Sequence, residues 1–230
     1  MMVGRVPIYL LDTNLETNHP EDRGLMNKLY AGGPELRVRQ EWILGVGGVR
    51  VLRAMDINPG VWHANEGHAA FMLVERVREL VSGGTPYQEA LYQVRKQSVF
   101  TTHTPVPAGH DAFPADQLEA CTGPIWEEMG IDRKTLFALG AHPSLPGQFH
   151  MTVVAMRLSG RVNGVSRRHG QVSRNLWRDL WPNRPWETVP IGHVTNGVHL
   201  ATWMASPIMA LLDEQDLIGR LDSGYARLFD

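Results

Sequence analysis

The chain has 230 residues, a formal net charge of −2, and 43% hydrophobic against 20% charged residues. That balance supports a buried core; it excludes intrinsic disorder as the main state and a dedicated duplex-DNA binder. No apolar run approaches the roughly 20 residues of a membrane helix, and the opening MMVGRVPIYLLDTN lacks the basic region and long apolar core of a secretory signal.

Apolar strand-like runs alternate with helical ones, which predicts an α/β sheet. The first predicted strand covers residues 6–11 and ends in Asp12-Thr13-Asn14. A helix over 36–55 follows, with Val38, Trp42, Val46, Val49 and Leu52 on its inner face. Residues 61–64 read as a short strand, followed by a helix in which Ala70, Leu73, Val74, Val77, Leu80 and Val81 keep the 3.6-residue period. Ser82-Gly83-Gly84 ends it. Thr85, Pro86 and Gln88 then have the spacing of a capping box at the start of another helix.

Residues 98–102 (SVFTT) read as a buried strand, and 114–147 as short helices broken by Gly and Pro. Met151, Val154, Ala155 and Leu158 define a further helix. A strand-to-helix junction lies at 161–166, with a helix from about 169 to 180. The last strand runs over 191–195, and Ser206-Pro207 opens a final helix.

Polar clusters follow four of these strands: Asp12-Thr13-Asn14, Asn65-Glu66-Gly67-His68, Thr102-His103-Thr104 and Thr195-Asn196-Gly197. Parallel strands would bring all four to one edge, where open α/β sheets bind ligands. Gly45-Val46-Gly47-Gly48 is not a dinucleotide fingerprint: Arg50 stands where a third glycine is required, and the run lies inside a helical pattern. Close packing against a neighbouring element is the expected reason for those glycines. His63, Glu66 and His68 match no zinc-site spacing, so no metal is expected. Glu66 reads either as a helix cap or as an acceptor for sugar hydroxyls. His103-Thr104-Pro105-Val106-Pro107 is a loop stiffened by two prolines. It suits holding a histidine, or its carbonyl, toward a ligand; a histidine satisfied within a tight turn is the other reading. Arg157, Arg161, Arg167, Arg168, Arg174 and Arg178 read as a solvated basic stretch. The single cysteine, Cys121, implies a reduced, cytoplasmic compartment. Lysine occurs only at 28, 96 and 134.

Five stretches, in order, resemble the α-glucan (glycogen, starch and maltodextrin) phosphorylases, in their shorter bacterial and archaeal branch. They are 35–41 (ELRVRQE), 62–69 (WHANEGHA), 100–113 (FTTHTPVPAGHDAF), 161–168 (RVNGVSRR) and 193–198 (HVTNGV), with Trp203 beyond. The resemblance covers about residues 5–213. It implies a Rossmann-like parallel sheet with flanking helices, part of a GT-B two-domain architecture. Residues 1–195 would be the later portion of the N-terminal domain, and 196–230 the crossover into a C-terminal domain.

The family reaction implied is α-1,4-glucan plus phosphate giving glucose 1-phosphate and a shortened glucan, with retention. The resemblance makes His103 the catalytic residue beside the glucosyl unit, acting partly through its carbonyl. It makes Thr104, Asn196, Asn65, Glu66 and His68 substrate-binding. Glu66 replaces the Asp, and Ala69 the Pro, of the long phosphorylases. It also implies pyridoxal 5′-phosphate in the full-length enzyme, α-1,4-glucan and phosphate or glucose 1-phosphate as partners, and a homodimer; nucleic acid and membranes are not expected partners. The G-T-S/G-x-x-K-type lysine segment, the K-R-x-x-x-Y-K-R-type stretch and the glycine-rich G-N-G-G-L-G loop have no counterpart in this sequence. The chain is therefore expected to be a fragment that binds no cofactor and is inactive alone. A nucleotide-sugar glycogen synthase-like transferase and a non-catalytic glucan-binding module are the alternatives.

Overall fold

The computed structural model describes residues 1–29, 32–197 and 203–214. The chain opens with a small antiparallel hairpin, β1 (Met2–Val3) and β2 (Val6–Pro7). Gly4, at φ +58°, supplies the left-handed residue of its two-residue turn. The predicted first strand at 6–11 is thereby corrected. Its first two residues pair within this exposed hairpin, and Leu10 is 77% exposed. The local turn captures the run before the sheet does. Asp12-Thr13-Asn14 therefore does not follow a strand of the main sheet: the Asn14 N–H donates to Asp12 Oδ1, and the Thr13 hydroxyl donates to the Arg23 carbonyl.

Next come α1 (Pro34–Trp42), a π-helical turn (Ile43–Gly47) and α2 (Gly48–Ala54), matching the predicted helix. Gly45 shows why a glycine sits there: a Cβ would stand 2.6 Å from both Phe71 Cβ and the Met72 nitrogen. Strand β3 (Trp62–Asn65), helix α3 (Phe71–Ser82), helix α4 (Tyr87–Lys96) and strand β4 (Ser98–Thr101) follow. Gly84, at φ +94°, closes α3, with Thr85 N–H donating to the Leu80 carbonyl and Gly84 N–H to that of Val81. The expected Thr85–Gln88 capping box does not form. Thr85 is engaged in ending α3, Pro86 is extended, and α4 starts one residue later without a side-chain cap.

The excursion beyond β4 is closed by a short antiparallel ladder that the sequence pattern missed, β5 (Ala112–Pro114) against β6 (Gln148–His150). Between them lie α5 (Ala115–Thr122), α6 (Ile125–Glu128) and α7 (Arg133–Gly140). Helix α8 (Met151–Leu158) is buried nearly all round, as expected of a helix inside the core. Strand β7 (Arg161–Gly164), helix α9 (Arg167–Leu176), strand β8 (Gly192–His193) and helix α10 (Ser206–Glu214) complete the described chain. Ser166 caps α9 by accepting the His169 N–H.

The main sheet has the order β3-β4-β7-β8, and every neighbouring pair is parallel. The fold is α/β and Rossmann-like. Trp62, Ala64 and Phe100 project from one face into the core. The other face carries exposed His63 and Asn65; His63 Nε2 lies 2.8 Å from Thr101 Oγ1.

Three histidines surround Trp177 at the junction of β6 and α9. The ring centroids of His110, His142 and His150 lie 4.8, 5.8 and 5.1 Å from the indole. Burial, reinforced by His110 and His142, pushes His150 down to about 4, with Asp111 opposing. The folded chain thus binds His150 in its neutral form, and the unfolded chain takes up a proton below the ordinary histidine value. Its contribution to stability is present above pH 6.5 and lost as pH falls toward 4. Between pH 7.5 and 5 the loss from this side chain is about 2 kcal/mol. Urea unfolding of His150→Phe is expected to show a shallower stability decline over that interval than the unsubstituted chain.

Candidate active site

Parallel register aligns Asn65, Thr101 and Asn163 in one row at the carboxyl end of the sheet. The turn after β3 is forced by packing. Gly67 meets the start of α8 so closely that a Cβ would lie 2.8 Å from Thr152 Oγ1. Glu66, just before it, adopts φ +69° and ψ 169°, a region almost confined to glycine.

This backbone carries the Glu66 carboxylate to the loop after β4. Oε2 accepts the His103 N–H at 2.8 Å, the Thr104 N–H at 2.9 Å and the Thr104 hydroxyl at 2.9 Å. Oε1 accepts the Thr102 hydroxyl at 3.2 Å. Burial raises the carboxyl's pKa, but these donors and the nearby His110 outweigh it and leave it below the ordinary value. Glu66 is therefore ionised at neutral pH. Of the two sequence readings, the helix cap is overturned: Glu66 makes no side-chain cap bond.

Asn65 Oδ1 lies 2.8 Å from His103 Nε2. A carboxamide oxygen only accepts, so in this contact His103 Nε2 carries the proton. Within the loop, Gly109 packs on Thr104, whose Cγ2 would stand 2.5 Å from a Cβ there. The far end is tied down twice. His110 Nδ1 lies 2.9 Å from Thr152 Oγ1, and Arg37 donates to Asp111 Oδ2 through Nη2 at 3.0 Å and Nε at 3.3 Å.

The structure therefore gathers Asn65, Glu66, His103 and Thr104 into one bracket. Asn196 shares the sheet edge beyond β8, its N–H donating to the Val165 carbonyl at 3.1 Å and its side chain exposed. His68 lies near enough to the group for Glu66 and His103 to act on it electrostatically. It lines a cavity of about 240 Å³ with Arg37, Gln40 and Glu41, and burial, then Arg37, lowers its pKa. His110 and the Arg37–Asp111 pair were missed by motif reasoning, and Thr102 was read only as part of a polar cluster. Arg37 and Asp111 both lie in the recognised stretches, but 74 residues part them. Among the described residues, no group of three His, Cys, Asp or Glu side chains is arranged to hold a metal ion.

No protein-family model matches the chain. Maltodextrin phosphorylase of Thermococcus litoralis is 42% identical over 226 residues, 98% of this chain and 26% of that protein. Glycogen phosphorylase of Mycobacterium tuberculosis is 44% identical over 218 residues, 88% of this chain and 25% of that protein. This chain is a relative of the glycogen and maltodextrin phosphorylases. Glycogen phosphorylase of Aquifex aeolicus, at 37% over 213 residues, extends the similarity across 92% of the chain and 30% of its own length. The chain thus spans about a quarter of the length of the first two relatives. The three lysines are exposed: Lys28 at the rim of the His68 cavity, Lys96 at the amino end of β4, opposite the bracket, and Lys134 on α7, so none is buried within the bracket to hold pyridoxal phosphate as a Schiff base.

Two stability tests follow from this geometry. Glycine accepts the Glu66 backbone conformation and alanine does not, so Glu66→Gly is expected to be more stable than Glu66→Ala by about 1 kcal/mol in denaturant unfolding. Glu41 is pushed up to about 9, by burial and then by neighbouring Asp111, against the pull of Arg37. A raised carboxyl costs stability as pH climbs from the ordinary carboxylate range toward 9, because the unfolded chain releases that proton first. Glu41→Gln is expected to flatten this decline and to raise Tm at pH 8.

Proposed function

We propose that this chain is the glucan-binding part of an α-1,4-glucan phosphorylase, from the later portion of the N-terminal domain of a GT-B enzyme. The observation that carries the reading is the bracket itself: the His103–Thr104 loop held rigidly by Glu66 and Asn65 at the carboxyl edge of a parallel sheet. Residues 1–195 form this domain portion, and 196–230 begin the crossover; residues 198–202 and 215–230 of that span lie outside the described residues.

The reaction is phosphorolysis of an α-1,4-glucan to glucose 1-phosphate and a shortened glucan, with retention. In this reading His103 turns its carbonyl toward the terminal glucosyl unit, and Asn196 hydrogen-bonds a hydroxyl of the same sugar. A neutral sugar offers no charge to grip, so selectivity comes from matched hydrogen bonds; an unmatched buried polar group costs about 1–3 kcal/mol. A fixed carbonyl dipole also favours positive charge developing at the anomeric carbon, without reorganisation during the reaction. Thr104 and Asn65 hold the histidine's peptide and ring. The pyridoxal phosphate and the phosphate-binding side chains belong to polypeptide beyond this segment. The whole enzyme is cytoplasmic and homodimeric in this reading; no described helix is long and apolar enough to cross a membrane.

The test joins this segment to the coding sequence that flanks it in the genome and measures orthophosphate-dependent release of glucose 1-phosphate from maltodextrin. Asn196→Ala is expected to lower kcat/KM about tenfold to a hundredfold, the loss of one or two sugar hydrogen bonds. Turnover of a nucleotide-glucose with none of orthophosphate would instead indicate a synthase. Glucan retention without either turnover would indicate a binding module.

A further inference from the structure

The His103 carbonyl and the Thr104 N–H belong to one peptide unit. That unit is trans, and in a planar trans peptide the C=O and N–H point in opposite directions. Glu66 Oε2 holds the Thr104 N–H at 2.9 Å. The His103 carbonyl therefore points away from Glu66, and no donor among the described residues reaches it. The same oxygen holds the His103 N–H at 2.8 Å, so the peptides on both sides of the His103 Cα are fixed.

We propose that Glu66 is a positioning residue that aims and polarises the His103 carbonyl, and is not itself a ligand of the sugar. This deepens the phosphorylase reading and rests on it. The carboxylate is already engaged: four donors converge on its two oxygens, three of them on Oε2. A glutamine of the same length can keep its oxygen on the three Oε2 donors and donate its NH₂ to the Thr102 hydroxyl, so it removes chiefly the charge. An anion bonded to the N–H end of a peptide draws electron density toward the carbonyl oxygen, as in any polarised hydrogen-bond chain. The carbonyl then accepts a sugar hydroxyl more strongly and better opposes positive charge at the reacting carbon. The uncommon backbone of Glu66, at φ +69°, fits this role. The chain adopts a costly conformation at the residue whose carboxylate fixes the loop.

Two readouts separate this inference from the functional reading. In the 230-residue chain, ¹H–¹⁵N spectra should show the His103 and Thr104 amide protons far downfield and slow to exchange. Glu66→Gln should move both upfield and speed their exchange while the folded spectrum elsewhere is kept. In the flank-extended enzyme, Glu66→Gln should lower kcat about tenfold to a hundredfold at nearly constant KM for maltodextrin, as displacement of a positioned group does. Glu66→Asp keeps the charge and should recover part of kcat; it also serves if the glutamine variant fails to fold. Ordinary amide shifts in the unsubstituted chain would overturn the proposal. So would a Glu66→Gln effect confined to KM, the mark of a sugar ligand. If the unsubstituted enzyme forms no glucose 1-phosphate, the phosphorylase reading falls, and the amide shifts alone decide whether Glu66 controls this peptide.

Discussion

The loop after β4 depends on one carboxylate. Without Glu66, two peptide N–H groups and two hydroxyls at Thr102, His103 and Thr104 would lose their shared acceptor, and nothing in the loop's own sequence would fix the His103 peptide. Prolines 105 and 107 limit the loop's shape, but they do not set its direction. The direction comes from the turn after β3. There Gly67 lies so close to Thr152 that the chain must pass without a side chain, and Glu66 takes a left-handed backbone conformation in consequence.

A second set of contacts holds the other end of the same loop. Arg37, from α1, grips Asp111 and lies 2.9 Å from Glu41 Oε1. The Asp111 carbonyl accepts the Met151 N–H at the start of α8. Two carboxylates thus share one guanidinium, the Glu41 side chain buried and that of Asp111 partly exposed, and burial and Asp111 together favour a protonated Glu41. His110, between the two anchors, connects the loop to the aromatic cluster around Trp177. The loop is therefore part of the core's packing. Its position follows from contacts to α1, α8 and the end of α9 together.

Much of the fold was legible because its signals are local. The 3.6-residue period of α3 and the paired glycines at its end are readable in one window, as are the apolar runs of β3 and β4. The failures share a cause. The run at 6–11 has strand character, but its pairing was decided by a turn at Gly4, and the β5–β6 ladder joins two three-residue pieces with 33 residues between them. Neither partner choice is encoded in the strand's own residues. Asn65, Glu66, His103 and Thr104 were identified from motif order, yet their division of labour was not. Glu66 reads equally well as a cap or as a sugar acceptor until its four donors are seen.

By itself, the sequence determined the α/β class, most of the helices, the position of the polar residues after β3, β4 and β8, and the likeness to glucan phosphorylases. These follow from periodicity, turn chemistry and motif order, which act over a few residues at a time. Only the tertiary structure decided that Glu66 serves the loop, that His68 lines a cavity with Arg37 and Glu41, and that Arg37 meets Asp111 across 74 residues. It also showed that Asp12-Thr13-Asn14 does not follow a strand of the main sheet. Such outcomes depend on which surfaces pack together and which buried donors lack an acceptor, and both are fixed only once distant segments meet.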